Sequence, residues 1–395
     1  MREVSGQRSG SPWQILGAAV LAQLGVSFVD QGLPTLNGFV KADLGVSAAV
    51  AGLAISSFSV GRIFGSYGAG VAADRFGEQR VIVAGGVATG ALVGAAVAAP
   101  LPLLFVLLML AGVASAASTP AGGRLVLLAF PRERRGLALG IRQCGIPLGG
   151  LAAAAALPRI AHVSGWRWSL AAAGAVTIAL VLPLLATRVA GGDRPERGAI
   201  AGTSPARDRN IRLLTAWSCL VVTGQYAVLA FLALDLHRAG RLSLAAGSLL
   251  VAFANACGIA GRVLWGALSD HALARGRKPL LLVLTAAGLA SAVLLFVVPR
   301  SAPLGVLLAV SGFAGLALIG YQGLWVTMVA EAAGPARVGA ATGFAVTFVT
   351  VAIACTAPAY GLVADLAGSY RAIWAALAVV LLIAFVPASL VRERE

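Results

Sequence analysis

The chain has 395 residues, of which 59% are hydrophobic and only 11% are charged, whereas a typical soluble domain carries about 25% charged residues. Its net charge is +15, but the basic residues lie in short segments between long apolar stretches. That arrangement indicates the loops of a membrane protein and argues against nucleic-acid binding. The apolar stretches do not alternate as barrel strands would, so the composition predicts an all-α membrane protein.

Twelve apolar segments follow one another along the chain, each long enough to cross about 30 Å of hydrocarbon as a helix. The first follows a polar N-terminus, and we interpret it as an uncleaved helix and not as a signal peptide. Prolines interrupt the fourth, fifth and eleventh segments, at Pro120, Pro147 and Pro358. The twelve segments are predicted at 13–36, 47–72, 79–100, 102–129, 135–157, 166–188, 212–236, 243–269, 279–299, 302–330, 338–363 and 370–391.

Twelve spans place both termini on the same side of the membrane. Of the 30 Lys and Arg residues, four fall inside spans, 19 lie on the side of the termini and 7 lie on the other side. Because basic loops stay in the cytoplasm, we predict a multi-pass protein of the inner membrane with both termini cytoplasmic. The polar segment 189–211 is predicted to be a cytoplasmic linker between two six-helix bundles, residues 1–188 and 212–395.

The two halves contain an internal repeat. Gly70 and Asp74 recur as Gly266 and Asp270, at a constant offset of 196 residues. Each copy closes the second span of its half and precedes a basic loop. A parallel repeat of this kind predicts two pseudo-symmetric bundles that move about a site near the middle of the membrane.

Residues 70–80, with the sequence GVAADRFGEQR, resemble the loop signature G-x-L-A-D-R-x-G-R-K of the major facilitator superfamily. The chain departs from the signature at Ala72, Glu78 and Gln79. The resemblance implies a secondary transporter that works by alternating access, is not an enzyme and needs no cofactor. It also implies that Asp74 contacts the start of the eleventh helix near Val338, where a carboxylate is favourable by about 0.3–1 kcal/mol or more.

We expect this region to act as a latch that holds the cytoplasmic side closed, with Arg124 as a second partner of Asp74. The alternative is that Asp74 only caps a turn. The glycines permit close helix contact and a tight turn. The predicted latch residues are Gly70, Asp74, Arg75, Gly77, Arg80, Arg124, Gly266 and Asp270.

Three arginines, Arg62, Arg142 and Arg262, fall at membrane depth, where each charge costs at least ~2.5–3.5 kcal/mol. Asp30 is the one clear carboxylate inside a span, so we expect a positive cavity that binds a small organic anion. The repeat places Arg62 and Arg262 on equivalent faces, and they are expected to meet across that cavity. Alternatively, Arg62 forms a structural ion pair with Asp30, while the other two arginines extend to the cytoplasmic interface.

Uncharged polar residues at similar depth complete the predicted substrate site, although such residues often bond between helices instead. The predicted site consists of Arg62, Arg142, Arg262, Gln225, Tyr226, Asn255, Gln322 and Trp325. Asp30 is interpreted as a proton carrier or as a permanent counter-charge for arginine.

The leading hypothesis is proton-coupled transport of a small organic anion across the lipid bilayer. One alternative is a proton/drug or lipid efflux antiporter with Asp30 as its proton carrier. Another, of a different class, is a substrate sensor that does not transport. The cysteines and histidines are scattered, so no metal site is predicted, and no nucleophile–base pair indicates an enzyme.

Overall fold

The computed structural model describes residues 11–187, 204–238, 242–271, 276–334 and 336–392, and these form sixteen α-helices. Eleven continuous helical stretches are long and apolar enough to cross a membrane. The helix Ala48–Phe76 is 29 residues long and also has the required length, but Arg62 and several serines make it less apolar. The prediction of an all-α fold with twelve membrane spans is therefore confirmed.

The N-terminal half contains six spans. The first bends through a 3-10 turn at Leu33–Leu36 and continues to Leu44, eight residues past its predicted end. The fourth and fifth spans each consist of two consecutive helices. The helices of this half are α1 (Pro12–Gly32), α2 (Asn37–Leu44), α3 (Ala48–Phe76), α4 (Glu78–Ala95), α5 (Leu101–Ser115), α6 (Ser118–Ala129), α7 (Arg135–Gln143), α8 (Gly145–Ser164) and α9 (Trp166–Val181).

The C-terminal half contains the other six spans. Residues 189–203 of the predicted linker lie outside the described residues, and the first helix after them begins at Arg209, inside the predicted linker. The helices of this half are α10 (Arg209–Arg238), α11 (Leu244–His271), α12 (Lys278–Val297), α13 (Leu304–Ala314), α14 (Gln322–Ala333), α15 (Val338–Ala367) and α16 (Arg371–Leu390).

Two spans of the N-terminal half are broken near a proline. The fourth span breaks between α5 and α6, four residues before Pro120, and the fifth breaks at Cys144, three residues before Pro147. Proline has no N–H for the carbonyl four residues earlier, which explains both positions. The eleventh span runs through Pro358 without a break as α15.

The tenth span contains a break that the sequence analysis did not predict. A π-helical turn at Gly315–Ile319 separates α13 from α14, and no proline lies within it. The wider turn leaves the carbonyl of Leu316 to accept a hydrogen bond from the indole N–H of Trp265 at 2.8 Å. A π-turn inside an α-helix is often found at a functional site.

The two halves meet where α3 packs against α15 and α7 packs against α11. Both described chain ends lie at one end of the bundle, together with the loops that follow the second, fourth, eighth and tenth spans. We call this the basic end. It is the end predicted to face the cytoplasm.

Candidate functional site

At the basic end, the carboxylate of Asp74 lies against the first turn of α15 from the other half. Its Oδ1 accepts a hydrogen bond from the N–H of Gly339 at 2.9 Å, and its Oδ2 accepts one from Ala340 at 2.7 Å. The start of a helix has unpaired N–H groups and the positive end of the helix dipole, and a carboxylate satisfies both. The contact predicted for Asp74 is present, and its role as a latch stays a prediction.

This contact requires α3 and α15 to approach at their backbones. A Cβ atom on Gly70 would lie 2.1 Å from the carbonyl oxygen of Gly339, and one on Gly339 would lie 2.4 Å from that of Gly70. No side chain fits at either position. Gly77, which ends α3, has a φ of +92°, a conformation that favours glycine.

Arg124, the second predicted partner of Asp74, is buried beside it. Its Nε lies 3.5 Å from Oδ1 of Asp74, and its guanidinium also forms an ion pair with Glu78 at the start of α4. Glu78 was not among the predicted residues. The side chains of Arg75 and Arg80 are exposed instead, and the guanidinium of Arg75 lies over the Phe76 ring.

The second copy of the repeat makes the equivalent contact in the opposite direction. Asp270, at the end of α11, accepts hydrogen bonds from the N–H groups of Gly136 and Leu137, both at 2.8 Å. These two residues belong to the first turn of α7 in the N-terminal half. A Cβ atom on Gly266 would lie 2.3 Å from the carbonyl oxygen of Gly136. The basic end is thus closed at two symmetric positions.

Arg277 reinforces the second contact and is not among the predicted latch residues. Its guanidinium lies 3.3 Å from Oδ1 of Asp270 and makes two hydrogen bonds with Glu331, at 3.0 and 3.1 Å. Arg277 comes from the loop before α12, whereas Glu331 lies near the end of α14. Only the folded chain brings these loop and helix-end charges together.

Near the middle of the membrane, Arg62 on α3 forms an ion pair with Asp30 on α1. The side chain of Arg62 is 24% exposed and that of Asp30 is 15% exposed, so neither is fully enclosed. Tyr226, from α10 of the other half, lies within electrostatic reach of both Asp30 and Arg62. The pair therefore sits between the two halves.

Arg142 lies on α7 and is 1% exposed. Its guanidinium donates to the side-chain oxygen of Gln23 at 2.7 Å, to that of Gln143 at 3.3 Å, and to the carbonyl of Ser118. The last of these lies where the fourth span is broken. Every one of these acceptors is uncharged.

Arg262 on α11 is equally buried, with 1% exposure. It donates to the carbonyl oxygen of Gln143, across the boundary between the halves, and to that of Ile319 at 3.3 Å. Ile319 is the last residue of the π-turn, and Gln143 is the last residue of α7. Arg262 also lies within electrostatic reach of Tyr226.

The structure corrects the expected distribution of positive charge. Arg62 is neutralised by Asp30 and does not form an uncompensated pair with Arg262. In the described ranges no carboxylate lies within 4.0 Å of the guanidinium of Arg142 or Arg262. Neither of these two extends to the basic end, because both are held by interior acceptors. The excess charge is therefore carried by Arg142 and Arg262.

The neutral residues of the predicted site differ in their burial and in their hydrogen-bond partners. The side chain of Gln322 donates to Gln225 at 3.0 Å, and the remaining oxygen of Gln322 has no partner. Asn255 is half-buried on α11, seven residues before Arg262. Trp325 is buried in the core of the C-terminal half, where its indole N–H donates to the carbonyl of Leu214. That position favours a packing role for Trp325.

Comparisons with known proteins agree with the resemblance of residues 70–80 to the major facilitator superfamily. The sequence profile of the Major Facilitator Superfamily matches residues 16–321 and again residues 213–395. An uncharacterized MFS-type transporter of Mycobacterium tuberculosis is 31% identical over 332 residues, covering 82% of this chain and 73% of the relative. GudP of Bacillus subtilis, described as a probable galactarate/D-glucarate transporter, is 22% identical over 311 residues, which are 69% of this chain and 68% of GudP.

A solved structure with the same fold is that of the Escherichia coli fucose:proton symporter FucP. FucP is 17% identical to this chain and superposes on it with a TM-score of 0.71. The superposition covers 96% of this chain and 100% of FucP. At this identity the similarity concerns the fold.

Proposed function

Because this chain belongs to the major facilitator superfamily of membrane transporters, we propose that it couples the movement of protons to that of a small organic anion. The substrate class we propose is a sugar acid, a carboxylate with several hydroxyl groups. The basic end, with both termini, faces the cytoplasm of the inner membrane. In this conformation the protein is closed toward the cytoplasm.

The observation that carries the proposal is that Arg142 and Arg262 are buried and that, among the described residues, neither forms an ion pair with an acid. Each of these residues is 1% exposed, and the acceptors of its guanidinium are carbonyl and amide oxygens. A buried charge is costly unless it is paired with an opposite charge. A bound carboxylate would supply the missing charge, and guanidinium binds carboxylate in a bidentate manner.

The surroundings of the two arginines suit a substrate that also has hydroxyl groups. Uncharged hydrogen-bonding side chains surround Arg142, namely Gln23 and Gln143, and the C-terminal half contributes the hydrogen-bonded pair Gln225 and Gln322 to the proposed site. Amide side chains both donate and accept, as hydroxyl groups require. The similarity to GudP, which is described as transporting galactarate and D-glucarate, supports the same substrate class.

The Asp30–Arg62 ion pair supports proton coupling. Protonation of Asp30 would remove its negative charge and free Arg62, so binding of a proton changes the interactions between α1 and α3. Tyr226 from the other half lies within electrostatic reach of this ion pair and would sense the change in charge. FucP, which shares the fold, is itself a proton symporter.

The two alternative functions, a drug antiporter and a substrate sensor, require different properties of the same site. An antiporter for cationic drugs would need an acidic excess at its centre, whereas the excess around Arg142 and Arg262 is basic. A sensor would bind the anion without moving it. Exchange of labelled D-glucarate across proteoliposomes therefore separates a transporter from a sensor, and inclusion of L-fucose as a competitor separates a sugar acid from a neutral sugar.

The decisive experiment measures anion affinity and melting temperature together. Arg142→Lys and Arg262→Lys should each weaken D-glucarate binding about ten- to a hundredfold, since a hydrogen bond to a charged group contributes about 1.5–3 kcal/mol and lysine loses the fork. Arg159→Lys, at an exposed position on α8, is the matched control and should bind normally. If affinity holds while the melting temperature falls, these arginines are structural and the anion proposal is wrong.

A further inference from the structure

The carbonyl oxygen of Gln143 has lost its partner within the helix. In an uninterrupted α-helix this oxygen would accept the N–H of the residue four positions later. That residue is Pro147, which has no N–H. The break at Cys144, directly after α7, leaves this oxygen available at membrane depth.

Arg262 supplies the missing donor from the other half of the protein. Its guanidinium donates to the Gln143 oxygen, and both residues are almost completely buried. Without this donor the oxygen would be an unsatisfied polar group inside the membrane, which costs several kcal/mol. The contact is a strong link across the boundary between the halves.

The same two helices are joined again at the basic end. Asp270, eight residues after Arg262 on α11, accepts the amides of Gly136 and Leu137 at the start of α7. Between these points the backbones touch, because a Cβ atom on Gly140 would lie 2.2 Å from the carbonyl oxygen of Arg262. Helix α7 is thus fastened to α11 at both of its ends.

The contacts that close the basic end are called the cytoplasmic gate here, and the hydrogen bond from Arg262 to the Gln143 oxygen is called the inner tie. We propose that this inner tie helps to hold the gate closed, and that the substrate anion releases it. A carboxylate that binds the Arg262 guanidinium withdraws it from the Gln143 oxygen, and of the two polar links between α7 and α11 described above, only the one at Asp270 then remains. The tie itself does not depend on the proposed substrate class; its release by a sugar acid does. Arg262 would therefore link substrate binding to opening of the gate.

Pro147→Ala tests the tie directly, because alanine provides the N–H that Gln143 lacks. The helix can then satisfy the oxygen by itself and Arg262 is no longer required. The readout is thiol labelling of a cysteine introduced at Ala330, which is buried and lines a cavity of about 180 Å³ in the closed gate. The background has its four native cysteines replaced. Labelling should become about tenfold faster, as expected for loss of one charge-assisted hydrogen bond.

Two controls separate gate opening from unfolding. Pro158→Ala changes a proline in the same span at a site remote from Arg262, and it should leave labelling at position 330 unchanged. A cysteine at Ala292, fully buried in the C-terminal core, should stay protected in Pro147→Ala. Faster labelling at both positions, or the same effect from Pro158→Ala, would overturn the proposal.

The double variant and the ligand complete the test. Arg262→Ala should accelerate labelling as Pro147→Ala does. The double variant should be labelled at about the same rate as either single variant, because both substitutions remove the same contact. Additive effects would contradict a shared tie. D-glucarate should accelerate labelling of the otherwise unchanged protein. If D-glucarate binds but leaves labelling unchanged while Pro147→Ala still opens the gate, the tie stands and its release by the anion is wrong; if D-glucarate does not bind at all, the proposed substrate class is wrong.

Discussion

Asp74 and Asp270 occupy equivalent positions of the internal repeat, and each accepts two backbone hydrogen bonds from the first turn of a helix in the opposite half. The four distances lie between 2.7 and 2.9 Å. The two carboxylates therefore fasten the basic end reciprocally: α3 holds α15, and α11 holds α7.

Replacement of either aspartate by asparagine should shift the protein toward the cytoplasm-open state. Asparagine loses the charge, worth up to ~2 kcal/mol at a partly buried helix start, and has one acceptor oxygen for two amides. Asp74→Asn should therefore lower turnover more than substrate affinity and increase labelling of a cysteine at position 330. Asp365→Asn, at an exposed site, should do neither. Normal turnover with unchanged labelling in Asp74→Asn would remove the latch hypothesis.

The backbone approach of α3 and α15 should be equally sensitive to one methyl group. In Gly70→Ala the new Cβ would lie 2.1 Å from the Gly339 oxygen, so the helices must separate and the amides move away from Asp74. Gly68→Ala is the matched control, since nothing lies within 4 Å of a Cβ there. Distance measurements between spin labels on the two halves at the basic end should show separation for Gly70→Ala only. Identical distances in both variants would contradict the packing argument.

Proton coupling predicts a specific phenotype for Asp30→Asn. The variant cannot exchange a proton at this position, so transport driven uphill by a pH gradient should be abolished, whereas exchange of labelled substrate should persist. The ion pair with Arg62 is lost as well, and Arg62→Gln in the same background should restore charge balance without restoring uphill transport. Uphill transport that survives in Asp30→Asn would show that the proton travels elsewhere.

The orientation in the membrane can be tested at two exposed positions, one at each end of the bundle. Glu133, between the fourth and fifth spans, is predicted to face the cytoplasm, and Lys41, on α2, is predicted to face the opposite side. In intact cells, an impermeant thiol reagent should label a cysteine at position 41 but not one at position 133. The reverse pattern would invert the topology inferred from the distribution of basic residues.

The sequence predicted those features that depend on local pattern. Span length and apolarity located the twelve helices, and the resemblance of residues 70–80 to the major facilitator signature implied the contact of Asp74 with the eleventh helix. The first follows from 1.5 Å of rise per residue, and the second agrees with the chemistry of a carboxylate at a helix start. Arg62–Asp30 was considered only as an alternative, because depth in the membrane does not specify a partner.

The acceptors of the buried arginines Arg142 and Arg262 were not predicted, because they depend on how distant helices pack. A long arginine side chain can reach several acceptors, and the packing of neighbouring helices determines which one it meets. The side chain of Arg142 lies in the interior because the broken fourth span leaves a carbonyl oxygen there to accept its hydrogen bond. The break at Gly315–Ile319 contains no proline, so the sequence does not indicate it. Likewise Glu78, Arg277 and Glu331 come from separate loops and helix ends, so no spacing in the sequence relates them.

The reciprocal fastening by Asp74 and Asp270 also bears on how the two halves assemble. Each half taken alone has one aspartate without its amide donors and one helix start without its carboxylate. In lipid, apolar surface gives helices little reason to associate, so polar contacts and close small-residue packing decide which helices join. Two separately synthesised halves would each carry the complement that the other lacks, and the pairing of donor and acceptor would select the correct partner and its alignment.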